Sequence, residues 1–231
     1  MPQHSKMRYR FYREHKYVSY AVSELEKLIA KADFRDKTQI DIIKNELANI
    51  EALMTGHAEW EESSIHELLK KKQSSVHTSI EIEHQEHAAQ FKALQKMISD
   101  ISNCKNENEQ LNKGYAFYIA YRHYAADNLK HLHEEETVIM PELQKLYSDE
   151  ELRAVEFKTY AQMTPEEMIH MMEVLFPHMN PHDREFFLTD IHDAEPAKFI
   201  KAWEGIKDKI SDRERELLSK KFLLSSAITL D

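Results

Sequence analysis

"HLHEEETVIMP", residues 131–141, packs two histidines and three glutamates into six consecutive positions before apolar character resumes. A solvated charge run has the same composition, so these groups face either water or a metal. The stretch has a twin. "HAEWEESSI", from His57, aligns without gaps with "HLHEEETVI", from His131, at an offset of 74. His57 meets His131, Glu61 meets Glu135, Glu62 meets Glu136 and Ile65 meets Ile139. A second pair lies upstream of each copy. "EHKYVSYAVSELEKLI", from Glu14, aligns with "EHQEHAAQFKALQKMI", from Glu83, at an offset of 69, so that His15 meets His84. The first ~150 residues therefore read as one helical hairpin, duplicated.

Helical periodicity decides which way these residues point. The stripes are Phe11, His15, Val18, Val22, Leu25, Ile29; Leu47, Ile50, Met54, His57, Glu61, Ile65, Leu68; Ile80, His84, His87, Phe91, Leu94, Ile98; and Phe117, Tyr121, Tyr124, Asn128, His131, Glu135, Ile139. Steps of three and four place each set on one face of a helix. His15, His57, Glu61, His84, His131 and Glu135 thus fall in apolar stripes, where a carboxylate is costly unless paired or metal-bound. Helices are expected near residues 5–32, 36–71, 75–103 and 108–147. The links "ADFRDK", "KKQSS" and "NCKNEN" are short and polar, which predicts an all-α, up-down-up-down four-helix bundle over residues 1–147. Pro141 bends the fourth helix or marks its last turns. Gly56 either admits a ligand or a neighbouring helix beside His57, or is simply tolerated.

Composition narrows the function classes. Only three glycines occur in 231 residues, which suits an all-helical chain. A net charge of −10 argues against a nucleic-acid surface. The first residues hold no apolar core for a signal peptide, and no apolar run is long enough to span a membrane. The single Cys104 fits a reducing compartment, so a cytoplasmic protein is expected.

Four imidazoles and two carboxylates on facing stripes make a ligand shell for two metal ions. Each metal could take two histidines, the two glutamates could bridge, and an oxo or hydroxo group would complete the pair. A small diatomic then has an open position to bind. Mixed nitrogen and oxygen donors suit iron, with manganese as the alternative; cysteine-rich zinc sites are excluded by the lone Cys104.

His15, His57-x3-Glu61, His84 and His131-x3-Glu135, in that order, resemble the hemerythrin-like (HHE) cation-binding family, as does the continuation from Glu136 to Pro141. The resemblance covers roughly residues 5–147. It implies a non-heme di-iron centre that binds or senses oxygen or nitric oxide, or handles iron. The family's oxygen carriers have a further histidine four residues after the third-helix ligand, where this chain has Ala88. Their fourth helix carries HxxxxD, whereas here the pair is His131-x3-Glu135. This set is similar to that of the bacterial iron–sulfur-cluster repair proteins, although no cysteine precedes His15.

Two other function classes compete. A ferritin-like oxidase or peroxidase would use ExxH pairs, and Glu81-x2-His84 and Glu167-x2-His170 have that spacing. A metal-free helical interaction module would use the buried histidines and glutamates as a pH-sensitive network. Around the six candidate ligands, His87 reads as an extra ligand or a core residue. Glu62 and Glu136 read as solvated or supporting, and Tyr124 as core or as a hydrogen-bond donor to the site. His66 and His133 read as wet, and His77 as a residue at the bundle's end. The basic aromatic start "RYRFYREHKY" reads as the beginning of an amphipathic helix.

Residues 148–231 form a C-terminal extension of three or four short helices, packed on the bundle or forming a homodimer surface. "TPEEMIHMMEVLF", "NPHDREFFLTDIHD" and "PAKFIKAWEGIKDKI" each carry a proline helix start. Met168, Met171, Met172 and Leu175 read as core. "SDRERELLSKKF" reads as a last exposed helix.

Overall fold

The computed structural model describes residues 8–227, with side chains to Phe222, and within them all regular secondary structure is helical, with no strand. The helices are α1 (His15–Lys31), α2 (Lys37–Trp60), α3 (His66–Lys71), α4 (His77–Ser102), α5 (Glu107–Glu134), α6 (Met140–Leu146), α7 (Asp149–Gln162), α8 (Pro165–Leu175), α9 (Pro181–Ala194), α10 (Pro196–Ile206) and α11 (Asp212–Ala227). Two π-turns, Glu61–Ile65 and Glu135–Ile139, join α2 to α3 and α5 to α6, so each pair is one continuous rod.

Caps set the boundaries. The Asp36 side chain accepts from the Thr38 N–H and starts α2, and Asn106 accepts from Glu109 and starts α5. Ser148 with Glu151, and Thr164 with Glu167, form reciprocal capping boxes on α7 and α8. Gln73, at φ 58°, turns the chain between α3 and α4. The expected ends of the second, third and fourth helices agree with the observed rods to within two residues.

The first helix does not begin near residue 5. Residues 5–7 lie outside the described residues, and residues 8–12 are not helical. Buried Tyr9 and Phe11 alternate there with exposed Arg8 and Arg10, a period of two. Tyr12 then adopts φ 69°, a left-handed conformation that stops helical continuation on its N-terminal side. Contacts far along the chain hold this segment extended. Arg8 Nε donates to Asp149 Oδ1 at 2.7 Å, and the Tyr9 N–H donates to the same oxygen at 3.1 Å.

Chain contacts separate Val18–Leu146 from a second unit, made of the described residues up to Tyr17 and of those from Tyr147 onward. In the first unit, α4 packs on α5 and on α2. Its core joins Val22, Leu25 and Ile29 to Ile43 and Leu47, Leu94 and Ile98, and Phe117 and Tyr121. The buried Tyr121 hydroxyl donates to the Val22 carbonyl at 2.9 Å, satisfying its polar end. Gly114 lets α5 meet Phe34, since a Cβ there would lie 2.2 Å from the Phe34 ring. At Gly56 a Cβ would meet nothing within 4 Å. Nothing approaches closely there, and the glycine is a tolerated one.

The second unit has its own core, with Met168 and Met172 fully buried among Leu188, Ile191, Phe199 and Ile206. Among the described residues it contains five α-helices rather than three or four. The additional one, α7, opens with Ser148 instead of a proline. The α11 helix is not wholly exposed, because Leu218 and Phe222, one turn apart, are buried.

Candidate metal centre

The two π-turns decide how the candidate ligands are presented. In each turn the closing N–H reaches back five residues: His66 to the Glu61 carbonyl, and Met140 to the Glu135 carbonyl. The wider turn inserts one residue into the helical phase. Consecutive residues therefore face inward, Ile65 with His66 and Ile139 with Met140, all buried. Glu61 and Glu135 open these turns, and both are 0% exposed.

Histidines converge on the two carboxylates. His57 Nε2 lies 3.2 Å from Glu61 Oε1, and His131 Nε2 lies 3.2 Å from Glu135 Oε1. His84 Nε2 lies 3.5 Å from Glu61 Oε2 and 3.9 Å from Glu135 Oε1. One ligand atom each from Glu61, His84, His131 and Glu135 fall within 4.8 Å of one another, and so do those of His57, Glu61 and Glu135. Such sets could hold a metal ion. His15 is buried, at 2% exposure, as the first residue of α1, with its ring 4.6 Å from that of Tyr12.

A second layer of carboxylates orients the imidazoles. His84 Nδ1 pairs with Glu62 Oε1 at 2.8 Å, and His131 Nδ1 pairs with Glu83 Oε2 at 2.8 Å. With Nδ1–H donated outward, a neutral ring turns its Nε2 lone pair toward a carboxylate oxygen. Two lone pairs at these separations repel unless a cation lies between them. A proton can fill that role in part. Burial alone would lower the His84 pKa, yet the Glu61 and Glu62 carboxylates, as acceptors from the ring nitrogens, push it up to about 9. His131 is raised in the same way, against burial, by Glu135 and Glu83. The donor set therefore fits a metal cation: imidazole nitrogens and carboxylate oxygens converge around two fully buried glutamates.

Other expectations resolve differently. His66 is not wet: it is 0% exposed, because the π-turn rotates it onto the inner face. The same rotation buries Leu69 fully in place of the expected Leu68. His133 is exposed, as expected. Glu62 holds His84, while Glu136 is exposed. Glu83, which received no role from the sequence, holds His131; its position directly before His84 in the repeat was the available signal. His87 is absent from both ligand groups, and burial followed by the neighbouring His131 pushes its pKa down to about 4. Its ring meets those of His131 and Tyr124 edge-on. A cavity of about 260 Å³ reaches His84 and His87 past Met54, Ala88, Phe91 and Tyr124. The ferritin-like spacing fails at its second pair, since Glu167 caps α8 and both Glu167 and His170 are exposed.

No described helix is long and apolar enough to cross a membrane. Comparison with curated proteins and with solved structures finds no significant match. The profile of the hemerythrin HHE cation binding domain matches residues 6–143, more than half of the chain. With that match across the whole of the duplicated hairpin, the chain belongs to the hemerythrin HHE cation-binding family.

Proposed function

We propose that this chain is a di-iron protein that binds, senses or reacts with oxygen or nitric oxide, with His15, His57, Glu61, His84, His131 and Glu135 as ligands. The α1, α2–α3, α4 and α5–α6 rods form the up-down-up-down bundle around it, and residues from 148 onward form the extension. The observation that carries this reading is the pair of fully buried glutamates at repeat-equivalent positions, each with a histidine nitrogen at 3.2 Å.

The iron pair, when bound, supplies electrons and open coordination positions for a small diatomic. The protein's own groups do the rest. Glu62 and Glu83 keep the Nδ1 protons of His84 and His131 and so direct both Nε2 atoms inward. Glu61 and Glu135 set the charge of the site and hold it close to neutral when two divalent ions and their balancing groups are present. Tyr124 and Phe91 supply apolar wall to the cavity that leads to His84. His87, kept neutral at the cavity wall, can hydrogen-bond a small molecule in transit.

Iron analysis of protein purified without oxygen tests the proposal directly. Two iron atoms per chain are expected, together with an optical change when the reduced protein meets oxygen or nitric oxide. A chain that saturates with fewer than two metal ions would overturn it.

A further inference from the structure

Three side chains that can ligate metal lie on the flank of the proposed centre. On α4, His77, Glu81 and His84 are spaced by four and three residues and share one face. His66, the first residue of α3, approaches that face. The ring centroids of His77 and His66 are 5.7 Å apart. Those of His66 and His84 are 6.0 Å apart, with the rings stacked at 11°. His66 Nδ1 lies 3.3 Å from Glu81 Oε1, and Lys70 Nζ lies 3.0 Å from the same oxygen. Exposure is graded: the Glu81 side chain is 28% exposed, His77 is 8% and His66 is 0%.

Packing does not require a histidine at position 66. Its repeat equivalent, 74 residues on, is Met140, which likewise follows a π-turn and is likewise buried, at 4% exposure. An apolar side chain therefore suffices at this place in the fold. Moreover, His66 Nε2 and His77 Nδ1 are buried and make no hydrogen bond among the described residues. Two such atoms in one cluster are unfavourable in a folded chain and call for an explanation.

We propose that His77, Glu81 and His66 form a transit site for a divalent cation on its way to His84. The proposal rests on the reading of His84 as a metal ligand. Seven residues of helix separate His77 from His84, roughly 10 Å. The intermediate donors break that distance into steps of 5.7 and 6.0 Å between rings. A cation can exchange its water for nitrogen and oxygen donors at each step instead of crossing an apolar wall bare. Lys70 neutralises Glu81 otherwise, and an arriving cation displaces it.

The test uses His66→Met, the substitution that the repeat itself shows to pack. Metal-free full-length protein is mixed with Co2+, and loading is followed by its visible absorption. H66M is expected to load at least fivefold more slowly while reaching the wild-type metal content. Loading at the wild-type rate would overturn the proposal. So would a lower final content, which would make His66 part of the centre. A second titration reads the cluster without the centre: in E61Q/E135Q, a weakly bound Co2+ is expected that adding H66M abolishes, and its absence would refute the transit site. A wild-type chain that saturates below two Co2+ would instead refute the di-iron reading, so the two failures are distinguishable.

Discussion

Glu61 and Glu135 each open a π-turn, and each faces the histidine one turn before it at 3.2 Å. The two positions are equivalent in sequence, in backbone and in burial, so their removal should have equivalent effects. Under the proposed di-iron reading, Glu61→Gln and Glu135→Gln are each expected to reduce bound iron from two per chain to one or fewer. The same variants should make the metal-free protein more heat-stable than metal-free wild type, because each removes a buried charge without changing volume. Metal analysis and thermal melts of both forms check this. Unequal iron loss would break the equivalence, and a less stable metal-free variant would mean that the carboxylates are already compensated.

His131 and His133 separate the helical phase from mere local composition. They lie two residues apart on α5, about 200° around the helix axis. His131 is 1% exposed and points to Glu135, while His133 is exposed. His131→Ala should therefore lose most bound metal, and His133→Ala should retain it. Equal loss in a metal assay would mean that the assigned face is wrong.

Much of this was legible because duplication and a 3.6-residue period are both sequence-level properties. His57, Glu61, His131 and Glu135 keep the same spacing in both copies, and that spacing puts them on buried faces. What the period could not show was its own interruption. A π-turn changes one backbone hydrogen bond without a proline or glycine to mark it at Glu61–Ile65, so the period puts His66 on the wet face and Leu68, rather than Leu69, in the buried stripe. The start of α1 was missed for a different reason. Tyr9 and Phe11 are apolar in either a helical or an extended reading, and the Asp149 that holds the segment extended lies 140 residues away in the sequence.

The glycines give opposite predictions from opposite surroundings. Gly56 is exposed within α2 and has open space where a Cβ would go. Gly56→Ala should stabilise the protein by about 0.5–1 kcal/mol through helix propensity. Gly114 is buried against Phe34, and its added Cβ would lie 2.2 Å from that ring. Gly114→Ala should destabilise by roughly 1–3 kcal/mol, since the aromatic side chain must be displaced. Urea unfolding of the two variants should shift the midpoint in opposite directions, and a loss of stability in G56A would contradict the open surroundings.

Glu156 should make the stability of the second unit depend on pH. Its side chain is 12% exposed and lies 3.8 Å from Arg13, within a cluster where Arg13 also meets fully buried Asp190 at 2.8 Å. Burial raises the Glu156 pKa to about 7, against the opposing pull of Arg13. In the unfolded chain the carboxyl returns to about 4.5. Between those two values the folded protein holds a proton that the unfolded chain releases. The associated stability is complete below about pH 4.5 and is lost as pH rises through 7. At full effect the loss is about 3 kcal/mol, and residual solvent access lowers it toward 1. Glu156→Gln removes the titration while keeping the shape. The difference in unfolding free energy between the variant and wild type should therefore grow in the variant's favour from pH 5 to pH 8. Chemical unfolding of the metal-free proteins across that range measures it. Subtracting the two curves removes the groups they share, and a pH-independent difference would show that Glu156 is ionised throughout, held by Arg13.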